Sequence, residues 1–174
     1  MKNTFRAFLR LIVLCSVALS VAAYAQSQPV SKQKNMNMTK KQLIAKGTFE
    51  VKVTPLPAEE NIGDATIGRL ALDKQFSGDI VGSGKGQMLG IGTEIKESGG
   101  YVAAERVNGS VNGKKGSFAL QHSGTMQAGK FDLTIAVVPD SGTGELKGIA
   151  GTMKIIIEGG KHSYELSYTL PAEN

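Results

Sequence analysis

The chain has 174 residues, of which 22 are glycine and one is cysteine, and carries a net charge of +5. A single cysteine excludes an internal disulfide framework, and two histidines without HxH or HExxH spacing leave no zinc motif. Three basic residues, Lys2, Arg6 and Arg10, lie in the first 25 positions; without them the charge is +2, so no nucleic-acid partner is expected.

Those three basic residues precede a mostly apolar run from Leu11 to Ala23, followed by Ala23-Tyr24-Ala25. A basic start, an apolar centre and small residues at the end form the pattern of a secretory leader. Residues 1–25 are therefore expected to be a signal peptide cleaved after Ala25, giving a periplasmic or secreted product. The apolar run is short for a membrane span, so no stable span is expected after cleavage; a retained N-terminal anchor is the alternative. Cys15 sits inside the run behind Leu14, unlike a lipoprotein cysteine, and would leave with the leader. Residues 26–42 are polar and lysine-rich, which predicts a flexible N-terminal segment.

From residue 43 to 171 the chain reads as one β domain. Phe49, Val51 and Val53 alternate with polar residues until Pro55 and Pro57, which have no amide to give to a ladder. A loop over 56–64 follows, where Glu59 and Glu60 could meet a ligand or metal but read more simply as solvent-facing carboxylates. Alternation resumes through Ile67, Leu70, Leu72, Lys74 and Phe76, with an irregularity between the first two. Glycines 82, 84, 86 and 90 then fall on one parity of a strand, which permits curvature or makes room for a neighbouring side chain. They lack the GxxxxGK[ST] spacing of a phosphate cradle.

The stretch from Tyr101 to Leu133 organises the rest. Side chains two apart share a face of a strand, so Tyr101, Ala103, Glu105 and Val107 face one way, as do Phe118, Leu120 and His122 after the Asn112-Gly113 turn. A tight two-residue turn makes Glu105 and His122 diagonal neighbours; a four-residue connection sets them directly opposite. Either register places a carboxylate and an imidazole together on the apolar side. Phe131, Leu133, Ile135 and Val137 continue the meander. Pro139 to Gly144 is turn-rich, and Glu145 to Ala150 is expected to pair briefly. Gly159-Gly160 predicts a final hairpin in which Ile157 faces His162 and Ile155 faces Tyr164.

These runs are compatible with an all-β barrel or sandwich. The ordered blocks GTFEVKVTPLP from Gly47, FSGDIVGSGKGQML from Phe76, GYVAAERVNGSVNGKKGSFALQHSGTM from Gly100 and VVPDSGTGELKGIAGTM from Val137 resemble domain-of-unknown-function family 3224. The resemblance spans Ala45 to Pro171. It implies a small closed antiparallel β-barrel of eight strands, similar in shape to allene oxide cyclase and lipocalin barrels, and it carries no catalytic residues to this chain.

A closed eight-stranded barrel has room for one compact ligand. The first functional reading is therefore an exported barrel that binds a small apolar or oxygen-bearing molecule, with Tyr101, Glu105, His122, His162 and Tyr164 as candidate pocket residues. A cofactor-independent isomerase or cyclase is an alternative, because a carboxylate beside an imidazole can support proton transfer. A structural or protein-interaction barrel is another. No metal or other cofactor is expected, and self-association is left open.

Overall fold

Period-two alternation over long segments, punctuated by glycine turns, gives each strand one apolar parity to bury, and the chain buries it by rolling the meander shut. The computed structural model describes residues 41–57 and 67–172. The expected leader, most of the 26–42 segment, and Glu59 and Glu60 lie outside the described residues. Eight antiparallel strands close into a barrel in chain order: β1 (Leu43–Pro55), β2 (Ile67–Gly78), β3 (Ile80–Gly92), β4 (Gly99–Val111), β5 (Lys114–Gln127), β6 (Lys130–Val137), β7 (Ala150–Glu158) and β8 (Lys161–Thr169). β8 pairs back onto β1, with Gly47 opposite Tyr164 and Phe49 opposite His162.

Turn chemistry fixes the register that the sequence leaves open. Asn112 and Gly113 both have positive φ, 48° and 81°, as a two-residue hairpin turn of the primed kind requires. The tight turn sets Val111 opposite Lys114, Glu105 opposite Leu120, and His122 opposite Ala103, so Glu105 and His122 are diagonal neighbours. Ala128-Gly129 and Gly159-Gly160 turn the same way, and the final hairpin pairs Ile157 with His162 and Ile155 with Tyr164 as expected.

The two ends of the barrel differ. One end is filled by Ile80, Val111, Phe118, Leu146, Ile149 and Tyr168, all buried. The segment after β6 makes this plug. Instead of pairing, Gly144–Leu146 winds into a short 3-10 turn, which corrects the expected brief pairing of Glu145 to Ala150. The reason lies in its anchors. Thr143 Oγ1 accepts from Ser117 N at 2.9 Å, Glu145 Oε2 accepts from Lys115 N at 2.7 Å, and Leu146 and Ile149 turn into the core. With this segment diverted, β6 and β7 share only the Ala136–Thr152 pair. Among the described residues the opposite end, where the β3–β4, β5–β6 and β7–β8 hairpins turn, is left open and exposes Val53, Phe131 and Ile157.

Candidate functional site

Behind the open end lies a cavity of about 570 Å³, walled by residues of the inward parity, among them Val51, Leu72, Met88, Met126, Leu133 and Ile155. The volume falls within the range of roughly 300–1,000 Å³ typical of small-molecule sites, and the walls are mostly apolar. Among the described residues four side chains break that character: Lys74, Tyr101, His122 and His162.

The inner part of the site is a buried charge cluster. Lys74 from β2, Glu105 from β4 and His122 from β5 are all at least 96% buried. Lys74 Nζ donates to Glu105 Oε2 at 2.6 Å, and the same oxygen lies 3.3 Å from His122 Nε2. That second approach brings the groups into electrostatic contact without an aligned hydrogen bond; His122 Nε2 and Glu105 Oε1 are both buried without a hydrogen-bond partner. The Lys74 ammonium also lies 4.9 Å from the centre of the Phe49 ring, close enough for a cation–π contact. Burial pushes the Glu105 carboxyl up, but the contact with His122 and the charge and hydrogen bond of Lys74 outweigh it and hold Glu105 below the usual carboxylate range.

The glycine-rich inward face of β3 makes this cluster possible. Gly84 stands opposite Lys74 on one side and Val107 on the other. A Cβ at Gly84 would fall 2.1 Å from Glu105 Oε1 and 2.9 Å from Phe76 Cε2, so the missing side chain is the space the carboxylate occupies. Likewise a Cβ at Gly124 would fall 2.5 Å from the Tyr101 ring, which sits over this glycine and stacks toward Phe131 at a centroid distance of 6.5 Å. Burial first, and then the negative charge of Glu105, push the Tyr101 hydroxyl above its ordinary pKa, so at neutral pH it stays protonated and able to donate.

The candidate residues therefore divide. Tyr101, His122 and His162 line the cavity. Glu105 lies behind them, its side chain without exposed surface, as the partner of Lys74 and His122. Tyr164 has the expected parity but belongs to the filled part of the barrel. Its hydroxyl accepts from Ile80 N at 2.7 Å and donates to Ser77 O at 3.3 Å, at the β2–β3 turn. Lys74 is the residue that sequence reasoning passed over. Its signal was its place between Leu72 and Phe76 on the inward parity of β2, where a lysine needs a buried counter-ion. Among the described residues no group of three His, Cys, Asp or Glu side chains is arranged to hold a metal.

The direction of the Glu105 shift sets an acid response. A carboxyl whose folded pKa is depressed contributes stability above its unfolded pKa and loses it as pH falls through the folded value. The stability advantage of the wild-type chain over Glu105→Gln, read from urea midpoints, should be full at neutral pH and shrink in acid, below the ordinary carboxylate range. An advantage independent of pH would contradict an ionised Glu105.

Residues 45–168 match the family described as a protein of unknown function, DUF3224. A solved structure from that family, of a Shewanella oneidensis MR-1 protein with unknown function, is 46% identical in sequence and superposes with a TM-score of 0.69, covering 76% of this chain and 100% of the other. No curated protein matches.

Proposed function

Because the chain belongs to the DUF3224 family, whose description carries no activity, we propose a function from the cavity: the barrel binds a small amphipathic molecule, apolar over most of its length and oxygen-bearing at one end. The observation behind this reading is the division of the 570 Å³ cavity into apolar walls and a polar group of Lys74, Tyr101, His122 and His162. An apolar molecule entering from the open end trades contact with water for contact with Val51, Leu72 and Leu133, which stabilises it by about 25 cal/mol for each Å² removed from water. The polar residues then select among molecules of similar size, since a buried donor left without an acceptor costs about 1–3 kcal/mol.

A plugged cavity tests the reading. Val51→Trp places a large ring in the cavity wall, at the position opposite Lys74 on β2, without replacing Lys74, Glu105 or His122. Titration of the purified chain against a chemically diverse set of amphiphiles should find ligands that the wild type binds and the variant does not, with the same far-ultraviolet circular dichroism. Equal binding by both would place the ligand elsewhere, and no binding by a folded wild type would reject a carrier role.

A further inference from the structure

Resting on that reading of the cavity, we propose that the seam between β6 and β7 is the movable wall of the site: it stands open in this structure and zips shut along its own register when a ligand fills the cavity.

The ladder pattern singles out this seam. Among the described residues the other seven seams of the barrel carry between seven and thirteen ladder pairs, whereas β6 and β7 share only Ala136–Thr152. From that pair both strands reach on toward the open end, β6 back to Lys130 and β7 forward to Glu158, over about 20 Å at roughly 3.3 Å per residue. Each is held on its far side, β6 by eight pairs with β5 and β7 by nine with β8. The connection between them leans away from the seam, since Val138 N donates to Ala119 O and Thr143 N to Ser117 O, both on β5. Two complete hairpins therefore meet at one point, and the wall parts beyond it. Exposure follows the parting. Ile135 and Met153, next to the shared pair, are 1% and 3% exposed, and Leu133 and Ile155 are half-buried. Phe131 and Ile157, nearest the rim, are 55% and 60% exposed although their parity is inward.

The unpaired halves are nevertheless complementary. Continuing the register of Ala136–Thr152 sets Leu133 opposite Ile155 and Phe131 opposite Ile157 on the inner face, and Lys130 opposite Glu158 on the outer face. Apolar pairs and opposite charges placed directly across from each other are the pairs that stabilise an antiparallel ladder. Phe131, Leu133, Ile155 and Ile157 also line the cavity. A ligand lying against them gains contact with all four at once only when the two strands come together, so its binding favours the closed seam.

The test locks the seam with a cysteine pair in a Cys15→Ser chain: Asp132→Cys with Ile156→Cys, which the continued register sets opposite each other on the outer face. The probe is prodan, a fluorescent naphthalene with a ketone at one end. With saturating prodan the disulfide should form at least about tenfold faster than without it, and the oxidised barrel should release prodan at least about tenfold more slowly than the same variant after reduction. Thr134→Cys with Lys154→Cys, nearer the shared pair, repeats the measurement should the first variant not fold when reduced. Prodan that binds the reduced barrel without changing the rate of cross-linking, or that leaves the oxidised and reduced forms equally fast, would overturn the moving seam while leaving the carrier reading intact. A cysteine pair that never cross-links in the folded chain would show that the register does not close and would overturn it as well. Failure of prodan to bind the folded wild type would overturn the proposal, and failure of the whole amphiphile set would overturn the carrier reading with it.

Discussion

Lys74→Met, made alone, should cost about 3–5 kcal/mol of stability, because it strands the Glu105 carboxylate in the interior with no cation beside it. The Glu105 side chain has no exposed surface and receives its one hydrogen bond from Lys74 Nζ. Combining the substitution with Glu105→Gln removes the uncompensated charge, and most of the loss should return. Buried ion pairs exchanged for neutral groups of similar volume are often close to neutral in stability, whereas half-pairs are not. The pH dependence should distinguish the single variant as well. Without Lys74, burial raises the Glu105 pKa, so the deficit of Lys74→Met should narrow as pH falls and the carboxyl takes a proton. Urea midpoints at neutral and acid pH measure both effects. A single-variant cost below about 1 kcal/mol would mean that the pair is solvated, as exposed salt bridges are, and would remove the charged floor from the cavity.

The second large effect comes from a single added methyl group. Gly84→Ala should cost about 1–3 kcal/mol by overpacking and lower ligand affinity by about tenfold or more. The new Cβ would sit 2.1 Å from Glu105 Oε1. A long, solvated side chain could swing aside, but this carboxylate is fixed through its other oxygen to Lys74. Relief therefore requires rotating the carboxylate away from the ammonium or moving strand β3 outward, and the first route leaves the contact with Phe76 at 2.9 Å unrelieved. Gly68→Ala is the control. It lies in β2 at ordinary φ, its Cβ would meet nothing closer than Gly90 O at 3.7 Å, and it should stay within about 0.5 kcal/mol of wild type. Equal behaviour of the two alanine variants would show that Gly84 is not holding the space for Glu105.

Most of the barrel is legible in the sequence because the information is local. Alternation names which side chains face inward, and glycine turns name where strands reverse; both concern neighbours a few residues apart. Tyr101, Glu105 and His122 were accessible in that way. What parity cannot give is depth along the barrel axis. Tyr164 and His162 share a face of β8, yet His162 lines the cavity while the Tyr164 hydroxyl reaches Ile80 and Ser77 in the filled part. Nor does parity give partners across several strands. Lys74 meets Glu105 over the intervening Gly84 of β3, a contact between residues 31 positions apart that depends on two ladder registers at once. The Pro139–Ile149 segment shows a third limit: its turns are visible as glycines, but its role as a plug follows from bonds to Lys115, Ser117 and Ala119 on β5.

Methyl-resolved nuclear magnetic resonance during titrations with the same diverse set of amphiphiles addresses the central claim most directly, because it reports where in the barrel a ligand sits. Methyl signals of Val51, Leu72, Met126, Leu133 and Ile155, which line the cavity, should shift together and saturate at one equivalent. Those of Ile80, Val111, Leu146 and Ile149, buried in the plugged end, should move little. Shifts confined to outward-facing methyls such as Val81, Leu89 and Val102, or no saturable shifts at all, would contradict a ligand-binding barrel.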